Sequence, residues 1–148
     1  MNERFGAFTF LISSISRYIR KIKTEEVVEY DLKSPHVSCL YYIKKIGKIT
    51  AKELCDVCGE DKGAMSRSIE YLEKKGLIKD DAIEGKKYKN PIVLTEKGEE
   101  VAMSLSLKID SAISEASEGL CEQDRITMYR SLEIINNNLK KICKKYKD

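Results

Sequence analysis

The sequence has no tryptophan and a single histidine, His36. One imidazole, with no nucleophile–base pair, phosphate-binding glycine loop or dinucleotide fingerprint, argues against an enzyme. Two prolines and eight glycines are too few for a collagen-like, linker-like or turn-rich all-β chain. No apolar run approaches the roughly 18 residues a membrane-spanning helix needs, so no membrane contact is expected. Met1-Asn2-Glu3-Arg4 leads straight into a periodic segment, without the apolar core of a signal peptide. The expected location is the cytoplasm. Neither sign of charge dominates: 27 basic residues stand against 24 acidic ones, a net +3. That excludes an acidic disordered tail and a strongly polybasic chain. Five cysteines, at 39, 55, 58, 121 and 143, make an odd number. Without an export signal they read as reduced thiols rather than a disulfide framework.

Helical periodicity is what the sequence does have. Its 148 residues are 42% hydrophobic. A chain of this size can bury about 70% of its unfolded surface. Phe8, Ile12, Ile15, Ile19 and Ile22 form one stripe of an amphipathic helix. Ser34-Pro35 reads as N-cap and first helical residue of a second helix, which Gly47 ends. Thr50-Ala51-Lys52-Glu53 is a capping box that opens a short third helix, stopped by Gly59. Asp61 can cap the fourth, which carries Met65, Ile69 and Leu72 and ends at Gly76. Two short helices joined by a glycine-containing turn make a helix-turn-helix. Leu77-Ile78-Lys79 and Ile92-Val93-Leu94 then read as strands around a lysine-rich tip, a wing. Leu54, Val57, Met65, Ile69, Leu72, Leu77, Ile92 and Leu94 are its expected small core. Thr95 caps a fifth helix with Val101, Leu105, Ile109, Ala112 and Ala116 on one face. After Gly119, Met128, Leu132, Ile135, Leu139, Ile142 and Tyr146 form a near-heptad seam.

The expected fold is mainly α with a small β-hairpin wing: a winged helix-turn-helix plus a helical dimerisation domain. Residues 34–95 would form the DNA-binding region, and 1–30 with 96–148 the dimerisation region. The terminal stripes have little to cover them inside the winged unit. Burying one Leu or Ile contributes roughly 1.5–3 kcal/mol, so wet seams would forfeit much stability. A two-fold homodimer is the simplest remedy. Such a dimer would place its recognition helices in successive major grooves of duplex DNA, about 34 Å apart, on a pseudo-palindrome.

On the fourth helix, Lys62, Ser66 and Arg67 suit phosphates and base edges, and Arg67 can bond guanine as a fork. Gly63 and Ala64 let the helix start come close to DNA. Lys86, Lys87 and Lys89 lie at the wing tip, and Ser34 and Thr50 complete the candidate DNA contacts. Charge by count gives no support: residues 51–97 hold ten basic and ten acidic residues.

The set Ile49-Thr50-Ala51-Lys52-Glu53-Leu54, Met65-Ser66-Arg67-Ser68-Ile69, Leu72-Glu73-Lys74-Lys75-Gly76-Leu77-Ile78 and Leu94-Thr95-Glu96-Lys97-Gly98 resembles the MarR family of bacterial transcriptional regulators. The resemblance covers nearly the whole chain. It implies a homodimer that represses, less often activates, genes beside an inverted repeat. It also implies release by a small aromatic or lipophilic ligand, or by cysteine oxidation. The family's ligand cleft would fall near His36, Tyr41 and Tyr42. The wing departs from the family's Asp-x-Arg pattern: Glu84-Gly85-Lys86-Lys87-Tyr88-Lys89-Asn90 contains no Arg. Lysine lacks the planar fork, so phosphate contact is expected there more than minor-groove reading.

His36-x₂-Cys39 with Cys55-x₂-Cys58 has a zinc-like spacing. Both pairs fall inside expected helices, so packing is the simpler role and no metal or other cofactor is expected. Cys121, at a helix start, and Cys143, near a lysine-rich end, are the better candidates for oxidation. Two other functions stay open at this point: a winged-helix protein-interaction module that never meets DNA, and a metal- or thiol-switched sensor.

Overall fold

The computed structural model describes residues 3–81 and 90–146. The element order is α1 (Glu3–Glu25), a short 3-10 turn (Val28–Tyr30), α2 (Ser34–Ile46), α3 (Ala51–Cys58), α4 (Lys62–Lys74), β1 (Ile78–Asp80), β2 (Ile92–Leu94), α5 (Glu96–Ala116) and α6 (Glu122–Lys144). The fold is the expected one, mostly helical with one antiparallel hairpin. Two compact units divide the chain, residues 1–111 and 112–148.

In the first unit the helices start where local chemistry says they should. Thr50 Oγ1 accepts the Glu53 amide at 3.3 Å, and Glu53 Oε2 accepts the Thr50 amide at 2.9 Å. Asp61 Oδ1 accepts the Ala64 amide at 2.9 Å. α2 differs by one residue. Ser34 reads from sequence as its N-cap, yet Lys33 holds that position and Ser34 and Pro35 lie in the first turn. His36 accounts for the shift. Its Nδ1 accepts the Lys33 amide at 3.0 Å, the role a Glu plays in a capping box.

The strands pair Ile78 with Leu94, Lys79 with Val93 and Asp80 with Ile92. Ile49 adds a bridge to Ile92, so the segment before α3 is stitched to β2. Beneath these elements lies one core containing Leu40, Ile43, Leu54, Met65, Leu72, Leu77 and Ile92. Ile69 and Leu94 pack against it, half-buried. Val57 does not: it is 41% exposed, on the outer side of α3. Val101, Ala102 and Leu105 of α5 are buried in this same core.

The joint between hairpin and α5 is tight. The Thr95 amide donates to the Leu77 carbonyl at 3.0 Å, and the Thr95 hydroxyl to the Gly76 carbonyl at 2.6 Å. The Gly98 amide donates back to Thr95 Oγ1 at 3.0 Å. A Cβ at position 98 would stand 1.9 Å from the Leu77 oxygen. Only glycine fits, which gives the Leu-Thr-Glu-Lys-Gly run its physical reason.

α1 keeps much of its apolar surface open, including Phe10, Leu11, Ile15 and Tyr18. In the second unit, Cys121 caps α6 by accepting the Asp124 amide. No described residue of α6 is buried. Ile126, Tyr129, Leu132, Ile134, Leu139 and Ile142 are all exposed.

Candidate nucleic-acid interface

α4 is two-faced. Met65, Ser68 and Leu72 are buried on its inner side. Lys62, Gly63, Ser66 and Arg67 are exposed on the outer side, and Ala64 is half-buried. Among the described residues, no hydrogen bond or ion pair engages the side chains of Lys62, Ser66 or Arg67. The neighbouring acid is already occupied: Glu70 pairs with Lys74 at 2.9 Å, one helical turn on. The structure therefore brings four of the sequence-predicted α4 residues to one open face. Lys86, Lys87 and Lys89 lie outside the described residues. Ser34 and Thr50 sit at the starts of α2 and α3, half-buried. The Thr50 hydroxyl is spent within its own capping box, where it also donates to Glu53 Oε2 at 2.8 Å.

A cluster of side chains mounts α4 on the rest of the unit. Tyr71, near its end, stacks on His36, with ring centroids 4.5 Å apart and planes 7° from parallel. The Tyr71 hydroxyl donates to the Asp31 backbone oxygen at 2.5 Å and lies 2.9 Å from the Asp31 carboxylate. Lys75 pairs with that carboxylate at 2.7 Å. The Lys75 and Tyr71 hydrogen bonds hold the Asp31 carboxyl below its usual range. His36 is 8% exposed. Burial pushes its imidazole below the ordinary value, with the Lys33 charge adding to the shift and Asp31 opposing it. His36 thus ties the start of α2 to the end of α4.

Tyr41 alone of the three suggested pocket residues lines the cleft between α2 and α5, with Val37, Leu40, Leu105 and Ile109. That cleft holds only about 10 Å³. A larger open groove, about 490 Å³, runs along α5 past Glu99, Met103, Ser104 and Leu107. Sequence reading missed it, because the exposed side of an amphipathic helix carries no signal of concavity.

The four zinc-spaced residues do not gather at one point. Besides His36, the Cys39 thiol donates to the Met65 sulfur at 3.7 Å and the Cys55 thiol to the Glu60 carbonyl at 3.0 Å. A hydrogen bond with Cys39 holds the Cys58 thiol below its ordinary value, while the same bond and burial push Cys39 up. Among the described residues, no group of three or more potential metal ligands converges. Cys121 and Cys143 are exposed. No helix among the described residues is long and apolar enough to cross a membrane.

A sequence profile of the MarR family matches residues 30–82, the span from the 3-10 turn through α2, α3, α4 and β1. Over that span the chain is similar to the MarR family of transcriptional regulators, and its fold agrees with theirs. It superposes with a TM-score of 0.85 on a MarR protein from Peptoclostridium difficile, 19% identical, covering 95% of this chain and 92% of that one. It superposes with a TM-score of 0.81 on a MarR family transcriptional regulator from Listeria monocytogenes solved in complex with 26mer DNA. That protein is 25% identical, with 86% of this chain and 85% of that one covered. Among curated sequences it is similar to the uncharacterized HTH-type transcriptional regulator YwoH of Bacillus subtilis. The two are 29% identical over 98 residues, 66% of this chain and 71% of YwoH.

Proposed function

We propose that this chain is a MarR-family regulator, acting as a homodimer that binds a pseudo-palindromic site in duplex DNA and represses transcription there. The outer face of α4 carries the reading. It presents Lys62, Ser66 and Arg67 with no partner among the described residues, on a helix whose other face is anchored in the core. Similarity to the Listeria protein complexed with 26mer DNA supports it. In this reading residues 34–95 hold the DNA, and 1–30 with 96–148 join two copies. The open apolar faces of α1 and α6 favour the second part. An isolated helix of 23 residues draws little stability from propensity alone and needs a packed face.

Release by a small aromatic or lipophilic ligand, or by oxidation of Cys121 or Cys143, completes the proposal. On α5, Met103 and Leu107 offer exposed apolar side chains along an open groove where such a ligand would lie. The test is binding to duplexes selected from a random pool, followed across a salt series. Neutralised phosphates release counterions, so log affinity should fall steeply with log salt. A chain that binds no duplex, or binds without salt dependence, would refute the proposal.

A further inference from the structure

Arg67 lies one helical turn after Gly63, and side chains on a helix lean toward its N-terminus. The guanidinium therefore lies back over Gly63. Its Nη1 is 3.5 Å from the place a Gly63 Cβ would occupy. On the other side of that gap, Asp61 Oδ1 is 3.2 Å from the same point. The carboxylate and the guanidinium thus flank one small opening, and it stays open because residue 63 has no side chain. They form no ion pair, so the guanidinium keeps its donors. Asp61 is itself fixed, since its Oδ1 accepts the Ala64 amide. That bond, with lesser help from the Gly63 amide and the Arg67 charge, keeps the Asp61 carboxyl below its usual range.

We propose that Asp61 is a positioning residue for Arg67: across the gap at Gly63, its carboxylate holds the guanidinium over the first turn of α4, aimed at a guanine edge. This rests on the DNA-binding reading and deepens it. The first turn of a recognition helix is the part that meets base edges. A fork held in place before binding loses less freedom on docking than one that swings free. Glycine at 63 has a role as well, because an added Cβ would crowd the Asp61 carboxylate and fill the gap up to contact with the guanidinium.

The substitutions D61N and G63A separate this role from a structural one. Asparagine caps a helix as well as aspartate, so D61N keeps the fold and removes only the charge. Alanine inside a helix is favoured over glycine, so G63A keeps or raises stability while intruding on the gap. The probe is the duplex selected by the unsubstituted protein, together with every single-base-pair variant of it. Arg67 should confer about a 5- to 150-fold preference for guanine at one position, which R67A abolishes. D61N should cut that preference about three- to tenfold at that position alone, with an unchanged thermal midpoint, and G63A should cut it by a similar factor with a midpoint no lower than the parent's. D61N should add nothing in an R67A background. If R67A removes the preference while D61N and G63A keep it in full, Asp61 does not position Arg67. If R67A alters no position, Arg67 reads no base. If the unsubstituted protein binds no duplex at all, the DNA reading fails and takes this inference with it.

Discussion

The same chemical change at two glycines should act with opposite signs. Gly98→Ala places a methyl group 1.9 Å from the Leu77 oxygen, a backbone atom that cannot rotate aside. Either α5 or the root of β1 must move. Forced overpacking of this kind costs about 1–3 kcal/mol. The displacement also strains the Thr95 amide to Leu77 bond, worth about 1 kcal/mol. Alanine returns about 1 kcal/mol of helix propensity. The net is a loss of about 1–3 kcal/mol. At this chain length each kcal/mol moves the thermal midpoint by about 2–4 °C, so Gly98→Ala should melt about 2–12 °C lower. Gly6→Ala is the control, since it lies in α1 with nothing within 4 Å of the added carbon. It should gain up to about 1 kcal/mol from propensity alone. Both are read by circular dichroism melts at one fixed protein concentration, because association would shift the midpoint. A Gly98→Ala protein that melts at or above the parent would refute the argument, and so would a Gly6→Ala protein that falls as far.

Arg67→Ala should lose about 1–3 kcal/mol of binding at one base position, whereas Lys87→Ala should weaken all duplexes evenly and lower the salt slope by about 1; anisotropy titrations measure both. Leu132→Lys, on the exposed seam of α6, should halve the mass seen by light scattering and weaken DNA binding with it. His36 has its pKa depressed in the folded chain, so the unfolded chain binds the extra proton as pH falls. Stability should be full above about pH 6.5 and decline as pH falls below it toward the depressed folded value. His36 is the only imidazole, so His36→Gln should flatten the melt-versus-pH curve between pH 7.5 and 5.5. Peroxide should add mass to the exposed Cys121 and Cys143 before the buried Cys39 in peptide mass spectra. Modification that leaves DNA affinity unchanged would remove thiol-triggered release.

The helix ends were readable in the sequence because they are settled by neighbours. Thr50 and Glu53, Asp61 and Ala64, and Thr95 and Gly98 each meet within three residues. What escaped depends on contacts far along the chain. Tyr71 reaches Asp31 across 40 residues, and Cys39 reaches Met65 across 26. No local rule shows that the His36 imidazole both caps α2 and stacks on Tyr71 of α4. The position of Val57 shows the same limit. Its spacing from Leu54 suits an inward face, but α3 has only eight residues and turns that side to solvent. Arg67 could be singled out as the lone arginine of α4. Asp61 could be seen only as a cap, because its place beside Arg67 follows from a side chain leaning back by a full turn.

Neutrality by count and asymmetry by placement are compatible, and the structure shows how. Of the acids between residues 51 and 97, Glu53 and Asp61 are consumed at helix starts, where amides and the helix dipole already favour negative charge. Glu70 is paired with Lys74, and Asp81 with Lys48 at 2.5 Å. Lys75 is drawn away to Asp31, beyond the segment. Exposed pairs of this sort add little to stability. Their effect is to settle which charges stay available. Helix starts and surface pairs take up these four carboxylates, while Lys62 and Arg67 keep open donors on one turn of α4. A polyanion approaching that face meets two cations, with the carboxylates of Asp61 and Glu70 beside them already engaged. The balanced composition therefore carries no argument against DNA, and the proposal stands or falls on the donors of this single turn.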